Sequence, residues 1–306
     1  MTFKEALETQ DFTVTCEVAP PKGVNMTAVL EEAELLRGRV AGINVTDLQA
    51  AAMRVSSLAT CALLKEKGLE PIMQMVCRDR NRLALQSELL SAYTLGIRNV
   101  LCLTGDHVVL GDHPGAKPVF DLDSVSLLQA AQGLINGKDL AGNELDSTPD
   151  DLFLGAIVTP GADPVEPQIY KLHQKVAAGA RFIQTQAVYD VPTFARFMER
   201  VSDIGVPILA GIVLLKSAGM ARYMNKNVAG VFVPDDLIAE MAKAGQADKA
   251  AKAEGKKADH QVKTSIEIAA RLIQGLKPLC RGVHIMPLGW GHHVPAVLEA
   301  AGVSGS

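Results

Sequence analysis

Residues 174–190 read QKVAAGARFIQTQAVYD. The front of this stretch closes a helical pattern, EPQIYKLHQKVAAG (166–179), and its middle, RFIQTQ (181–186), is a short strand-like run. Gly179 stands between them, at the C′ place where a chain leaves a helix through the left-handed region that glycine reaches without steric penalty. Helix, glycine, strand is the joint of a parallel αβ unit, and the joint recurs. RVSSLATCALLKEKG closes on Gly68 before PIMQMVC (71–77), ALQSELLSAYTLG on Gly96 before RNVLCLT (98–104), and PTFARFMERVSDIG on Gly205 before VPILAGIV (206–213). FTVTCEV (12–18), AGINVT (41–46), LFLGAIV (152–158) and GVHIMPL (282–288) bring the strand-like runs to eight, with AVLEEAELLRG as a further helix after the first.

The runs are continuously apolar more than alternating, as suits parallel strands covered on both faces. Eight βα units in 306 residues predict a (β/α)8 barrel, 1–306 forming one catalytic domain. A doubly wound open sheet is the alternative, but no GxGxxG follows the first strand, so a Rossmann dinucleotide site has no support. Extra helices are expected after strands four and seven. The segment from Asp106 to Asp151 is long and Gly-rich and contains one helix, SVSLLQAAQGLI (124–135). KSAGMARYMNKN (216–227) and PDDLIAEMAKA (234–244) follow strand seven, and then comes QADKAAKAEGKKADHQVKT (246–264), a solvated helix face or loop.

Composition narrows the function. Hydrophobic residues make up 48% and the net charge is −4, which argues against nucleic acid, since a phosphate backbone needs a basic face. The five cysteines, 16, 61, 77, 102 and 280, have neither zinc-like nor CxxC spacing. Cys16, Cys77 and Cys102 read as small core residues of a chain in a reducing compartment. The start, MTFKEALETQ, reads as an amphipathic helix and not a signal peptide, and no run reaches the length of a membrane span. The expectation is a cytoplasmic protein.

Barrel sites are built at the C-terminal ends of the strands. Those ends carry Glu17; Thr46 and Asp47; Gln74, Cys77 and Arg78; Thr104, Gly105 and Asp106; Thr159 to Gly161; Gln184 to Gln186; Leu215 and Lys216; and Pro287 to Gly289. Two carboxylates, amides, hydroxyls and a lysine make up this set, without a metal-ligand spacing or a GxSxG elbow. Glu17 is the residue of interest, because Glu is a poor helix cap and Pro20 and Pro21 follow it. Asp47 reads as a cap or turn residue, Asp106 as either a site or a turn residue, and Lys175 by itself as a solvated helix lysine. His107, His113, His292 and His293 fall in loops with no partner at telling spacing.

Four stretches together resemble one family. TCEVAPPKG (15–23) is similar to the F-E-F-x-P-P opening of methylenetetrahydrofolate reductases. NVTDLQAAAMR (44–54) is similar to their second-strand segment, GIRNVLCLTGD (96–106) to G-I-R-x-I-x-x-L-R-G-D, and QKVAAGARFIQTQAVYD to K-V-x-A-G-A-x-x-x-x-T-Q-x-x-F-D. The resemblance runs in order from about residue 12 to 288. It implies a flavin-bearing barrel that reduces 5,10-methylenetetrahydrofolate to 5-methyltetrahydrofolate. Carried over, Glu17 is the general acid that helps open the methylene bridge. Asp106 lies by flavin and folate, Gln186 and Lys216 bind folate, and Thr46, Gln74, Thr104, Gln168 and Lys175 match positions on the cofactor, Lys175 that of a phosphate contact. A glutamate in an apolar mouth has the raised pKa that an acid near neutrality requires.

The sequence also departs from the family. Thr104 replaces an arginine, Gln74 stands where many members have histidine, Gln168 where many have a carboxylate, and Leu215 where an aromatic precedes the lysine. These changes leave FAD, the family's usual flavin, and FMN both open, and NAD(P)H as electron donor equally open. The stretch GVHIMPLGWGHHVPAVLEAAG (282–302) resembles the branch from anaerobic folate pathways, where some members work with an iron–sulfur partner subunit, so a homo- or hetero-oligomer is expected. The resemblance covers the barrel, and the extra regulatory region of longer relatives is not expected. A pterin-binding methyltransferase barrel without flavin, and a barrel kept as a non-catalytic subunit, are the competing readings.

Overall fold

The glycines that end helices in the sequence do so in the structure, a computed structural model that describes residues 1–303. Gly68, Gly96, Gly179 and Gly205 have φ of 69°, 80°, 115° and 68°. Each is followed by a strand. The strands are β1 (Thr13–Val18), β2 (Gly42–Val45), β3 (Pro71–Val76), β4 (Asn99–Leu103), β5 (Phe153–Val158), β6 (Phe182–Ala187), β7 (Ile208–Val213) and β8 (Gly282–Met286). All pair in parallel with their sequence neighbours, and β8 returns to β1 through the registers Thr13 with Gly282 and Thr15 with His284. The result is the closed (β/α)8 barrel; the open sheet is excluded.

Helix α1 (Phe3–Thr9) precedes the barrel, and α2 (Thr27–Leu35), α3 (Ser57–Glu66), α4 (Arg82–Thr94), α5 (Ser124–Ile135), α6 (Glu166–Ala177) and α7 (Val191–Arg200) follow β1 to β6 in turn. Between β7 and β8 lie α8 (Ala218–Asn227), α9 (Asp235–Ala253) and α10 (His260–Leu276), and α11 (Val294–Ala300) follows β8. The barrel needs one helix there, and α10 supplies it, so α8 and α9 are the additions after strand seven. The addition after strand four is a single 3-10 turn, Val108–Leu110, ahead of α5. The Lys/Ala run divides: its first part extends α9, and its last part opens α10. Asp248 of α9 is buried and accepts from the first backbone amides of α10, His260 N at 2.8 Å and Gln261 N at 3.1 Å. This satisfies donors that every helix start leaves orphaned.

The lumen is filled in layers. At the bottom, Phe3 of α1 plugs the barrel, meeting Phe153 and Phe182 edge-on at ring distances of 5.9 and 5.0 Å, among Ile72, Leu101 and Leu209. Two residues further along β1, β2, β6 and β8, where side chains return to the same face, the filling is polar. Gln184 Nε2 donates to Thr15 Oγ1 (3.1 Å) and Asn44 Oδ1 (3.0 Å), Asn44 Nδ2 donates to Gln184 Oε1 (2.8 Å), and His284 Nδ1 meets Thr15 Oγ1 at 3.0 Å. Burial depresses the His284 imidazole to about 3, so it stays neutral. A fully bonded polar layer is affordable in a core, where a half-bonded one would not be. It puts a polar floor directly beneath the top layer, where the candidate residues stand.

Candidate active site

Glu17 is the next inward residue of β1 above Thr15. It is 7% exposed, and amides bond both of its oxygens: Gln49 Nε2 donates to Oε1 at 2.9 Å and Gln74 Nε2 reaches Oε2 at 3.4 Å. Burial raises its pKa from 4.5 to about 7; the two amide donors oppose that rise, and the nearby Glu32 carboxylate adds to it. The direction of this shift is the one expected for a glutamate enclosed in an apolar mouth.

The other strand ends fall into two groups. Some expected site residues face the mouth. Thr46, at the end of β2, is 1% exposed, and its Oγ1 has no hydrogen-bond partner among the described residues. Gln186 is half-buried at the end of β6, and its Oε1 accepts from Ala187 N at 3.0 Å. Asp106 is exposed on the loop after β4, where its carbonyl accepts from Arg78 Nη1 at 3.3 Å. Lys216, beyond β7, donates from Nζ to the Leu288 carbonyl and sits 5.5 Å from the Trp290 ring, so it ties the β7 and β8 loops together.

Gln74, Thr104, Lys175 and Asp47 are committed to protein partners, and Gln168 stands on α6 away from the strand ends. Gln74 bonds Glu17, as above. Thr104 Oγ1 accepts from Ser124 N at 3.1 Å and so helps cap α5. Gln168 is half-buried in the first turn of α6. Seven residues on, along the same helix face, Lys175 is 6% exposed and donates from Nζ to Ile157 O at 2.7 Å. The solvated-lysine reading of Lys175 is thus corrected: the apolar wall between α6 and β5 encloses the ammonium. Burial lowers its pKa from 10.5 to about 8, with the Lys171 charge adding to the effect and Asp123 opposing it. Asp47 is a turn residue as expected: its Oδ2 accepts from Val76 N at 2.9 Å and pairs with Arg80.

Three site features escaped the strand-end reading. Gln49 lies past the strand in a turn, so only its contact with Glu17 marks it. Asn44 and His284 lie one layer too deep. A signal existed for the last two, since a polar residue inside an otherwise apolar strand must find partners.

The residues present fit a flavin. The mouth offers a buried hydroxyl in want of a partner, Thr46 Oγ1, and an apolar wall at Ile157, which is 37% exposed although it belongs to a barrel strand. Planar, mostly apolar ring systems with a few polar edges call for such linings. Among the described residues, no helix is long and apolar enough to cross a membrane, and no group of three His, Cys, Asp or Glu stands close enough to hold a metal.

The fold and its mouth define a parallel eight-stranded barrel with a buried acid, Glu17, held by two side-chain amides at the C-terminal ends of the strands. The methylenetetrahydrofolate reductase family profile matches residues 2–302, and the chain belongs to that family. Methylenetetrahydrofolate reductase 2 of Schizosaccharomyces pombe is 25% identical over 243 residues, 76% of this chain and 35% of that protein. The 5,10-methylenetetrahydrofolate reductase of Pectobacterium carotovorum is 28% identical over 155 residues, 49% of this chain and 46% of its own length. The chain thus spans well under two thirds of either relative. Among solved structures, a Clostridium thermocellum protein described as binding two copies of 5-methyl-5,6,7,8-tetrahydrofolic acid superposes with a TM-score of 0.58 at 13% identity, covering 98% of this chain and 97% of that one. A 2,3-dimethylmalate lyase follows at a TM-score of 0.51 and 13% identity, covering 100% of this chain and 90% of that one. These likenesses support the barrel fold.

Proposed function

We propose that the chain reduces 5,10-methylenetetrahydrofolate to 5-methyltetrahydrofolate with a bound flavin, and that Glu17 is the general acid. The observation that carries this reading is the position of Glu17: a carboxyl at a barrel strand end, enclosed, bonded by two amides and brought to about 7. A general acid works best when its pKa lies near the operating pH.

Glu17 delivers its proton to the folate amine that leaves the methylene carbon, so the C–N bond of the bridge breaks and an iminium remains on the other nitrogen. A flavin bound at the mouth would supply the hydride that this carbon accepts. Gln186 and Asp106 bind and orient the folate from β6 and the β4 loop, and Lys216 closes the β7 side. Thr46 supplies a hydroxyl to the cofactor, Asp106 borders it, and Gln168 and Lys175 lie on the α6 face toward its phosphate tail. Gln74 and Thr104 border the cofactor while holding Glu17 and α5. NAD(P)H or an iron–sulfur partner subunit delivers the electrons, and FAD is the flavin favoured by family membership, with FMN as the alternative.

Anaerobic purification, a visible spectrum and chromatography of the released cofactor test the flavin. A flavin band after purification or reconstitution supports the reading; no binding of FAD or FMN favours the methyltransferase alternative. Asp106→Asn tests the folate pocket. Loss of a charged hydrogen-bond acceptor should raise KM for folate roughly tenfold or more and alter the rate of flavin reduction. If steady-state kinetics and stopped-flow traces both match the wild type, Asp106 is outside the site.

A further inference from the structure

Gln49 stands on strained backbone, with three of the five non-glycine residues of positive φ among the described residues beside it. Leu48 (φ 47°, ψ 50°), Ala50 (φ 54°, ψ 31°) and Ala51 (φ 55°) all lie in the left-handed region, where side chains with a Cβ are strained. A turn that merely joined β2 to α3 would take Gly or Asn at such positions. Here the strained form is pinned from four sides. Leu48 O accepts from Arg78 Nη2 at 3.2 Å. Met53 N donates to Asp112 Oδ1 at 3.0 Å, and Lys22 of the β1–α2 loop pairs with the same aspartate. Gly111 lies so close to the Ala51 carbonyl that a Cβ there would overlap it. Asp47, just before the turn, is fixed by Val76 N and Arg80. Loops after β1, β3 and β4 thus hold one turn whose side-chain bond to the site, the only one among the described residues, is Gln49 Nε2 to Glu17 Oε1, at 2.9 Å. Strain retained by its surroundings at a functional site suggests that it serves the site.

We propose that Gln49 is the positioning residue of Glu17: its amide clamps Oε1, so that Oε2, on the longer contact to Gln74, is the oxygen that carries and delivers the proton. The inference rests on the reading of Glu17 as the acid. An ionised carboxylate accepts only, so the Gln49 amide must present its N–H side to it, and the same N–H can still bond the carbonyl-like oxygen after protonation. The Gln74 contact at 3.4 Å is near the limit for a hydrogen bond and can yield when Oε2 takes the proton. The charged and titratable groups around Glu17 are Glu32 on α2, which pushes its pKa up; Cys16 beside it, kept as a thiol by burial; Asp47 and Arg80, paired with each other; Arg78, paired with Asp79; Asp106 on the β4 loop; and neutral His284 on β8.

The test uses Gln49→Leu, with Gln49→Asn as a second, smaller change and Gln74→Leu for comparison. Gln49 is half-buried in a loop, so these variants spare the core. The Glu17 carboxyl is titrated by infrared difference spectroscopy, wild type minus Glu17→Gln, alongside the pH profile of folate reduction. Loss of an amide donor to the ionised form should move the Glu17 titration up by about one pH unit in both Gln49 variants, less in Gln74→Leu. The alkaline limb of the rate should follow it, and kcat on the plateau should fall roughly tenfold as the clamp is lost. An unchanged Glu17 titration in the Gln49 variants overturns the proposal, even if activity falls, because a purely structural role would leave the titration in place. If the infrared titration moves and the rate profile does not, the clamp stands and the general-acid reading fails.

Discussion

Replacing Glu17 with Gln should lower folate reduction by about 10²–10⁴-fold while leaving flavin binding, and reduction of the flavin by its electron donor, close to wild type. The amide fills the same space and keeps a hydrogen-bonding end beside Gln49 and Gln74, but it has no proton to give near pH 7. Separate stopped-flow measurements of the two half-reactions check this; near wild-type folate turnover would remove Glu17 from the acid role. The same variant has a thermodynamic signature. Folding raises the Glu17 pKa from 4.5 to about 7, so the buried carboxyl is harmless below pH 4.5 and increasingly costly as pH rises through 7, where the folded protein must hold a charge that the unfolded chain solvates. Glu17→Gln removes that cost. Its stability relative to wild type should therefore improve by about 3 kcal/mol between pH 4.5 and pH 8, as read from denaturant unfolding at both pH values. A flat difference would mean that the carboxyl is not desolvated.

Lys175→Met should make the apo-protein more stable and the flavin less secure. The lysine is enclosed, its only described side-chain bond goes to Ile157 O, and burial lowers its pKa to about 8. For a base the sign runs the other way: a depressed folded pKa gives stability that is present above 10.5 and lost as pH falls through 8. At pH 7 the folded protein bears the full penalty of a desolvated ammonium. An isosteric thioether removes it, with a net gain of about 2 kcal/mol after loss of the bond to Ile157. A protein retains such a cation when the charge has work to do, and under the proposed function that work is on the anionic tail of the cofactor. Flavin affinity in the variant should fall at least tenfold, roughly what one charged hydrogen bond is worth. Thermal unfolding and flavin titration on the same preparations test both arms. Lower stability with unchanged flavin affinity would make Lys175 a packing residue with a satisfied head group.

The barrel was legible because its signals are local. Gly179 and its counterparts mark where each helix stops, and the apolar runs after them count out eight strands. The partition after β7 was harder to read, since α9 carries the Lys/Ala run deep into a helix and the start of α10 is capped from outside by Asp248, a long-range bond that no local pattern announces. The site divides in the same way. Glu17 stood out as a candidate because a carboxylate followed by Pro20 and Pro21 is unsuited to the usual structural duties. Lys175 looked like any helix lysine, because its burial depends on how α6 lies against β5. Gln49 was invisible, since a glutamine in a loop acquires meaning only when the β1, β3 and β4 loops bring it against Glu17.

The most direct measurement is to mix the anaerobic, flavin-loaded protein with 5-methyltetrahydrofolate and follow flavin absorbance, with Glu17→Gln alongside. The account predicts rapid loss of the oxidised-flavin band in the wild type, faster as pH rises through 7 because Glu17 must then accept a proton, and a loss slower by orders of magnitude in the variant. A band that persists in the wild type, or one that fades equally fast in both proteins, would contradict it.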